Sequence, residues 1–122
     1  TALVTPFDGE RVDERQYRVI VDWQVEEGTT ALVPCGTTGE SSTMTMEEHD
    51  RVVALCVEAA AGRVPVIAGC GSNSTRTSLD HMLHARAAGA SAALVVLPYY
   101  NRPQPAGIIE HFTRLADGCD LP

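Results

Sequence analysis

Four times along the chain, a short and nearly unbroken apolar run gives way to a turn rich in Gly, Ser and Thr and then to an amphipathic stretch. The apolar runs are Ala2–Thr5, Ala31–Cys35, Val64–Ala68 and Ala92–Leu97. Runs without polar alternation are those of strands buried on both faces of a parallel sheet. The stretches between them carry helical spacing. Val52, Leu55, Cys56, Ala59 and Ala60 make one apolar stripe, Leu79, Met82 and Leu83 a second, and Ile108, Phe112 and Leu115 a third. Helix starts are marked by Asp13 with Gln16 and by Thr45 with Glu48, which have capping-box spacing, and by Pro105, suited to a first turn. Gly28, Gly62 and Gly89 stand where left-handed helix ends are wanted.

A strand–helix unit repeated in this way builds either an open doubly wound sheet or a closed barrel. No linker or shift in composition interrupts it, so residues 1–122 form one unit of organisation. A closed (β/α)8 barrel needs about 250 residues. The reading is therefore an α/β fold made of the first four βα units of a (β/α)8 TIM barrel, the N-terminal half of a single domain. Four units alone would leave an exposed parallel edge; a complete small four-stranded α/β domain is the alternative.

Composition narrows the function classes. Hydrophobic residues make up 44% and charged residues 20% of the chain, as in ordinary globular proteins. Sixteen acidic residues against nine arginines give a net charge of −7. The arginines form no stripe, so nucleic acid is not an expected partner. No apolar run approaches the ~20 residues of a membrane span, and no secretory leader is apparent. Cys35, Cys56, Cys70 and Cys119 have neither C-x-x-C spacing nor a nearby histidine pattern. They are expected to be packing residues in a reducing, cytoplasmic setting. The histidines at 49, 81, 84 and 111 lack ligand-like spacing and are expected to be solvated or hydrogen-bonded, with no metal and no cofactor. The chain contains no lysine.

In both candidate architectures, ligands meet the C-terminal ends of the strands. There stand Gly36-Thr37-Thr38-Gly39-Glu40-Ser41, Gly69-Cys70-Gly71-Ser72-Asn73-Ser74 and Pro98-Tyr99-Tyr100-Asn101-Arg102-Pro103. The first can present amides and hydroxyls to a carboxylate or phosphate, or be no more than a tight turn. It lacks the Gly-Lys-Ser/Thr of a P-loop and the spacing of a dinucleotide fingerprint. Phenols at the end of a strand need polar partners and can relay protons or cover a subunit interface. If the strand continued through them, Tyr99 and Tyr100 would point in opposite directions.

Taken in order and at these separations, Leu3-Val4-Thr5-Pro6-Phe7, Gly36–Ser41, Val64–Gly69 and Pro98–Pro103 resemble the dihydrodipicolinate synthase family. The resemblance spans the whole chain but only the first half of such an enzyme. It implies a homotetrameric, class I aldolase-type lyase of lysine and diaminopimelate biosynthesis. Such an enzyme condenses pyruvate with aspartate semialdehyde through a Schiff base on a lysine from a later strand. By resemblance, Thr37 and Tyr100 are catalytic in a proton relay, Tyr100 acting in the neighbouring subunit, and Thr37 with Thr38 holds pyruvate. Ser41, Ser42, His49, Asn73 and Tyr99 match the region where lysine acts as effector. Met46 and Thr77 depart there from a common histidine and an acidic residue, so feedback by lysine is expected to be weak or absent. The alternatives are another pyruvate aldolase, such as an N-acetylneuraminate or keto-deoxy-sugar acid lyase, and a non-catalytic half-barrel serving anion binding or assembly.

Overall fold

A computed structural model describes all of residues 1–122. An antiparallel hairpin comes first, β1 (Phe7–Asp8) with β2 (Arg11–Val12), followed by α1 (Glu14–Glu26) and α2 (Met46–Ala60). Then come β3 (Ile67–Gly69), α3 (Thr75–Ala88), β4 (Ala92–Leu94) and α4 (Pro105–Gly118). The segments around Ala2, Leu32, β3 and β4 lie side by side in chain order, all parallel. Ala2 pairs with Val33, Leu32 with Val66, and Ile67 with Ala92. Successive helices pack on one another, α1 on α2, α2 on α3 and α3 on α4. Sequential parallel strands, each returned by a helix, are the wall of a (β/α)8 barrel.

The four apolar runs are thus all in the sheet, but the regular ladder is shorter than their pattern predicts. The first two runs pair through isolated bridges. Pro34 has no amide to donate and interrupts the ladder, although its carbonyl accepts from the Gly69 amide at 2.9 Å. The third strand is displaced to Ile67–Gly69, and the fourth ends at Leu94 rather than Leu97. Beyond Gly69 the neighbouring chain gives β4 only the Cys70 amide, on Leu94 O. The hairpin is absent from the apolar pattern; its loop is Gly9-Glu10, with glycine at the first position taking φ +61°.

The caps follow the side chains. Asp13 accepts from the Gln16 amide at 2.9 Å, and Thr45 and Glu48 close a reciprocal capping box. Pro105 opens α4, and Gly89 is the left-handed cap of α3. Gly28 and Gly62 have positive φ but stand one residue past the caps, Glu27 and Ala61. The core gathers Leu3, Tyr17, Val21, Leu32, Val52, Leu55 and all four cysteines. Burial pushes the Cys56 thiol up to about 11 and the Cys70 thiol up to about 12, so both are packing groups rather than nucleophiles.

Two predicted stripes need correction. On α3 the buried face is Ser78, His81, Met82 and Ala85, leaving Leu83 exposed; on α4 it is His111 and Leu115, leaving Phe112 exposed. One residue further along a helix is a turn of about 100°, which carries Leu83 and Phe112 off the packed face and seats polar residues on it. No helix is long and apolar enough to cross a membrane.

Candidate functional site: two adjoining clefts at the strand ends

The C-terminal ends of the parallel segments open into two neighbouring clefts, of about 350 Å³ and about 170 Å³. The larger is lined by Cys35, Gly36, Thr37, Gly69, Leu94 and Val96, and the smaller by Met44, Met46, His49, Ser72, Thr77 and His81. Ser41, Ser42, Gly71 and Tyr99 form part of both.

The floor between strands depends on close backbone approach. A Cβ on Gly69 would sit 2.2 Å from the Cys35 carbonyl oxygen, so only glycine lets the two segments close there. Cys35 itself takes φ +54° and Glu40 φ +60°, left-handed conformations that non-glycine residues adopt at a cost. They aim the Gly36–Ser41 turn. Gly36 O accepts from the Gly39 amide and Thr37 O from the Glu40 amide, while the Thr37 and Thr38 amides enter none of the backbone hydrogen bonds of the turn. The buried Thr5 hydroxyl donates to Gly39 O at 2.8 Å and pins the turn from below. Thr5 was read only as part of a strand; its position in the run, followed by Pro6, was the available signal.

Each expected site residue has a definite place. Thr37 lines the larger cleft, whereas Thr38 is exposed beside it and lines neither. Ser41, Ser42, His49 and Tyr99 come together at the smaller cleft, with Met46 and Thr77. Asn73 is not in that lining; its carbonyl accepts from the Asn101 side-chain amide at 2.8 Å and ties the third loop to the fourth. The two tyrosines do diverge, but not because a strand runs through them. Tyr99 lines the clefts, whereas Tyr100 is 94% exposed at φ +66°, its phenol held away from this chain's own clefts.

The larger cleft holds no carboxylate and no basic side chain. Its one thiol, Cys35, is pushed well above the ordinary range by burial. The polar groups it offers are backbone amides, the hydroxyls of Thr37, Ser41 and Ser42, and Tyr99. The smaller cleft is different. His49 stacks on His81, ring centroids 3.6 Å apart, and the His49 Nε2–H donates to Gly69 O at 2.8 Å. Asp50 Oδ2 lies 2.8 Å from His84 Nδ1. The expectation that the histidines are solvated or hydrogen-bonded holds for His84, which is exposed and paired with Asp50, and only in part for the other three. His49 Nδ1, His81 Nδ1 and His111 Nε2 are buried without a protein hydrogen-bond partner, because helix packing covers them. Burial lowers His49 against the pull of Gly69 O and Asp50, and burial with the adjoining His49 ring pushes His81 down to about 4.

The chain belongs to the Dihydrodipicolinate synthetase family, which it matches over residues 1–122. Among curated relatives, it is 64% identical over 121 residues to the 4-hydroxy-tetrahydrodipicolinate synthase of Rhizorhabdus wittichii. To that of Zymomonas mobilis it is 57% identical. In both cases 99% of this chain is covered but only 42% of the relative, so the chain spans less than half their length. Among solved structures, dihydrodipicolinate synthase from Aquifex aeolicus superposes with a TM-score of 0.98 at 46% identity, over all of this chain and 42% of that one. The pyruvate complex of the Acinetobacter baumannii enzyme gives 0.96 at 43% identity, over 99% of this chain and 42% of that one. The lysine-bound enzyme of Cyanidioschyzon merolae gives 0.95 at 39% identity, with the same shares.

Proposed function

We propose that residues 1–122 are the N-terminal half of a single TIM-barrel domain in a class I aldolase-type lyase. The enzyme condenses pyruvate with L-aspartate 4-semialdehyde in lysine and diaminopimelate biosynthesis. The observation that carries this reading is the Gly36–Ser41 turn, which leaves the Thr37 and Thr38 amides free at the strand ends beside an uncharged cleft. Adjacent amides and hydroxyls in a site without competing charge suit a small carboxylate. Relatives that match this chain over 99% of its length are named 4-hydroxy-tetrahydrodipicolinate synthase, and one solved neighbour is a pyruvate complex.

In this reading the Thr37 hydroxyl passes protons during imine formation and cyclisation, while the Thr37 and Thr38 amides orient the pyruvate carboxylate. Tyr100 completes the relay in the site of a neighbouring subunit; its near-complete exposure on a left-handed backbone leaves it free to do so. The assembly is a cytoplasmic homotetramer needing no cofactor. A Schiff base requires an amine that loses its proton near neutral pH, and the basic residues here are all arginine, whose guanidinium stays charged. The nucleophilic lysine therefore lies outside residues 1–122, and these residues alone are inactive.

Borohydride reduction of the full-length protein with pyruvate tests the reading. A single lysine-linked adduct outside residues 1–122, with turnover on aspartate semialdehyde exceeding that on sugar aldehydes, is expected. No adduct, or preference for a sugar aldehyde, overturns it. The region of Ser41, Ser42, His49, Asn73 and Tyr99 is the lysine-effector region in the same reading. Met46 and Thr77 line it without offering the carboxylate that would pair a lysine ammonium. Lysine is thus expected to leave turnover unchanged below the millimolar range, and half-inhibition at sub-millimolar lysine refutes this.

A further inference from the structure

We propose that the wall of the smaller cleft, with Asp50 behind it, is a binding site for one divalent transition-metal ion of the zinc class, held by His49 Nδ1, Asp50 Oδ1 and His81 Nδ1. Each of the three residues brings a ligand atom within 4.8 Å of those of the other two, and His49 Nδ1, Asp50 Oδ1 and His81 Nδ1 have no hydrogen-bond partner in the protein. Both imidazoles are more than nine-tenths buried, His49 with 3% and His81 with 9% of its surface exposed.

The hydrogen-bond pattern makes this a cation problem. The Gly69 carbonyl can only accept, so His49 carries its hydrogen on Nε2 and turns a bare Nδ1 lone pair inward. Opposite it, at 3.6 Å, is Asp50 Oδ1, a second acceptor with no hydrogen between the two. His81 Nδ1 faces the same oxygen at 3.7 Å, beyond hydrogen-bond range. The converging, buried acceptors His49 Nδ1 and Asp50 Oδ1 cost free energy unless something positive sits between them. Metal–ligand bonds of about 2.0–2.1 Å at tetrahedral angles hold neighbouring donor atoms about 3.4 Å apart, close to both separations. The rings are stacked with a tilt of 29°, so binding requires the stack to open until both in-plane lone pairs meet at the ion.

The surroundings resemble a supporting shell. A ligating histidine usually donates its other N–H to a carbonyl, as His49 does to Gly69, and a ligating carboxylate is itself held, as Asp50 Oδ2 is by His84. No Lys or Arg lines the cleft to repel a cation. Two imidazoles and one carboxylate favour Zn²⁺, Co²⁺ or Ni²⁺ over Mg²⁺ or Ca²⁺. The proposal is independent of the reading of the larger cleft, since its readout is metal uptake rather than turnover.

The test uses untagged full-length protein stripped with a chelator and then titrated with Zn²⁺, Mg²⁺ or Co²⁺ alone. Expected are about one Zn²⁺ per chain, no Mg²⁺, and a visible Co²⁺ spectrum of four- or five-coordinate N/O ligation. His81→Gln should abolish stoichiometric uptake. His84→Gln, exposed and outside the ligand set, should fold normally and weaken Zn²⁺ binding by about 10–100-fold. Substoichiometric Zn²⁺ uptake by the unmodified protein overturns the proposal, and so does uptake with unchanged affinity in a folded His81→Gln protein. Should His81→Gln fail to fold, unchanged affinity in His84→Gln overturns it instead.

Discussion

The two clefts share a wall of Ser41, Ser42, Gly71 and Tyr99 yet offer opposite chemistry. The larger is built from backbone: a strained turn, exposed amides and glycines on which no Cβ fits. Its polarity is neutral and preorganised, which suits a small anion whose charge the site must meet without supplying ions of its own. The smaller is built from side chains: two imidazoles line it, with the Asp50 carboxylate behind them, where α2 and α3 meet. Backbone sites tolerate little change in shape, and side-chain sites tolerate little change in charge. That difference can be attacked from both ends.

The largest effect is expected at the floor of the larger cleft. Gly69→Ala forces a methyl group onto the Cys35 carbonyl, where no flexible side chain can give way. A loss of about 3 kcal/mol, the upper end of the usual cost of overpacking, is expected, together with loss of the pyruvate adduct. Thermal unfolding within a few degrees of the unmodified protein refutes the close-approach argument.

Next come Thr37→Val and Tyr100→Phe. Each removes one hydroxyl at a surface position and should leave the melting temperature unchanged while lowering kcat about 10²-fold or more. Mixing the two inactive proteins separates acting in the same chain from acting across subunits. If Tyr100 serves its neighbour, hybrid assemblies regain sites with an intact Thr37 from one chain and an intact Tyr100 from the other. Mixtures that exchange subunits yet stay inactive place Tyr100 elsewhere.

For the smaller cleft the expected effect is on stability against pH, measured on metal-stripped protein. His49 and His81 are depressed in the fold, His81 to about 4, so the unfolded chain binds protons that the folded one refuses. Stability should therefore be complete above about pH 6.5 and fall by a few kcal/mol as the pH drops towards 4. Asp50, which faces the pair, tempers the loss without reversing it, while His84 adds to it. Chemical denaturation at pH 7 and pH 5 checks this, and equal stability at the two values contradicts it.

The smallest effect is expected on the outer helix surface. Arg51 grips Glu14 at 2.5 and 2.7 Å and Glu58 at 3.0 Å, yet all three side chains are exposed. Arg51→Ala should cost at most about 1 kcal/mol, less in high salt. A larger loss would show that α1 and α2 depend on this clasp rather than on the apolar face beneath it.

What the sequence by itself determined was everything of short range. Apolar runs such as Val64–Ala68 marked buried strands, Thr45 with Glu48 marked a helix start, and the Gly/Ser/Thr turns marked the strand ends where ligands bind. These signals are local because strand and helix periods are set by backbone geometry within a few residues. The order of Gly36–Ser41 and Pro98–Pro103 was enough to point to the family. Only the tertiary structure decided which flank of α3 faces inward, seating Ser78 and His81 there and leaving Leu83 outside. It also brought His49 and His81 into contact from separate helices and turned Tyr99 and Tyr100 apart through a left-handed residue. Helix-on-helix packing sets such meetings, and no spacing along one chain segment encodes the angle at which another segment arrives.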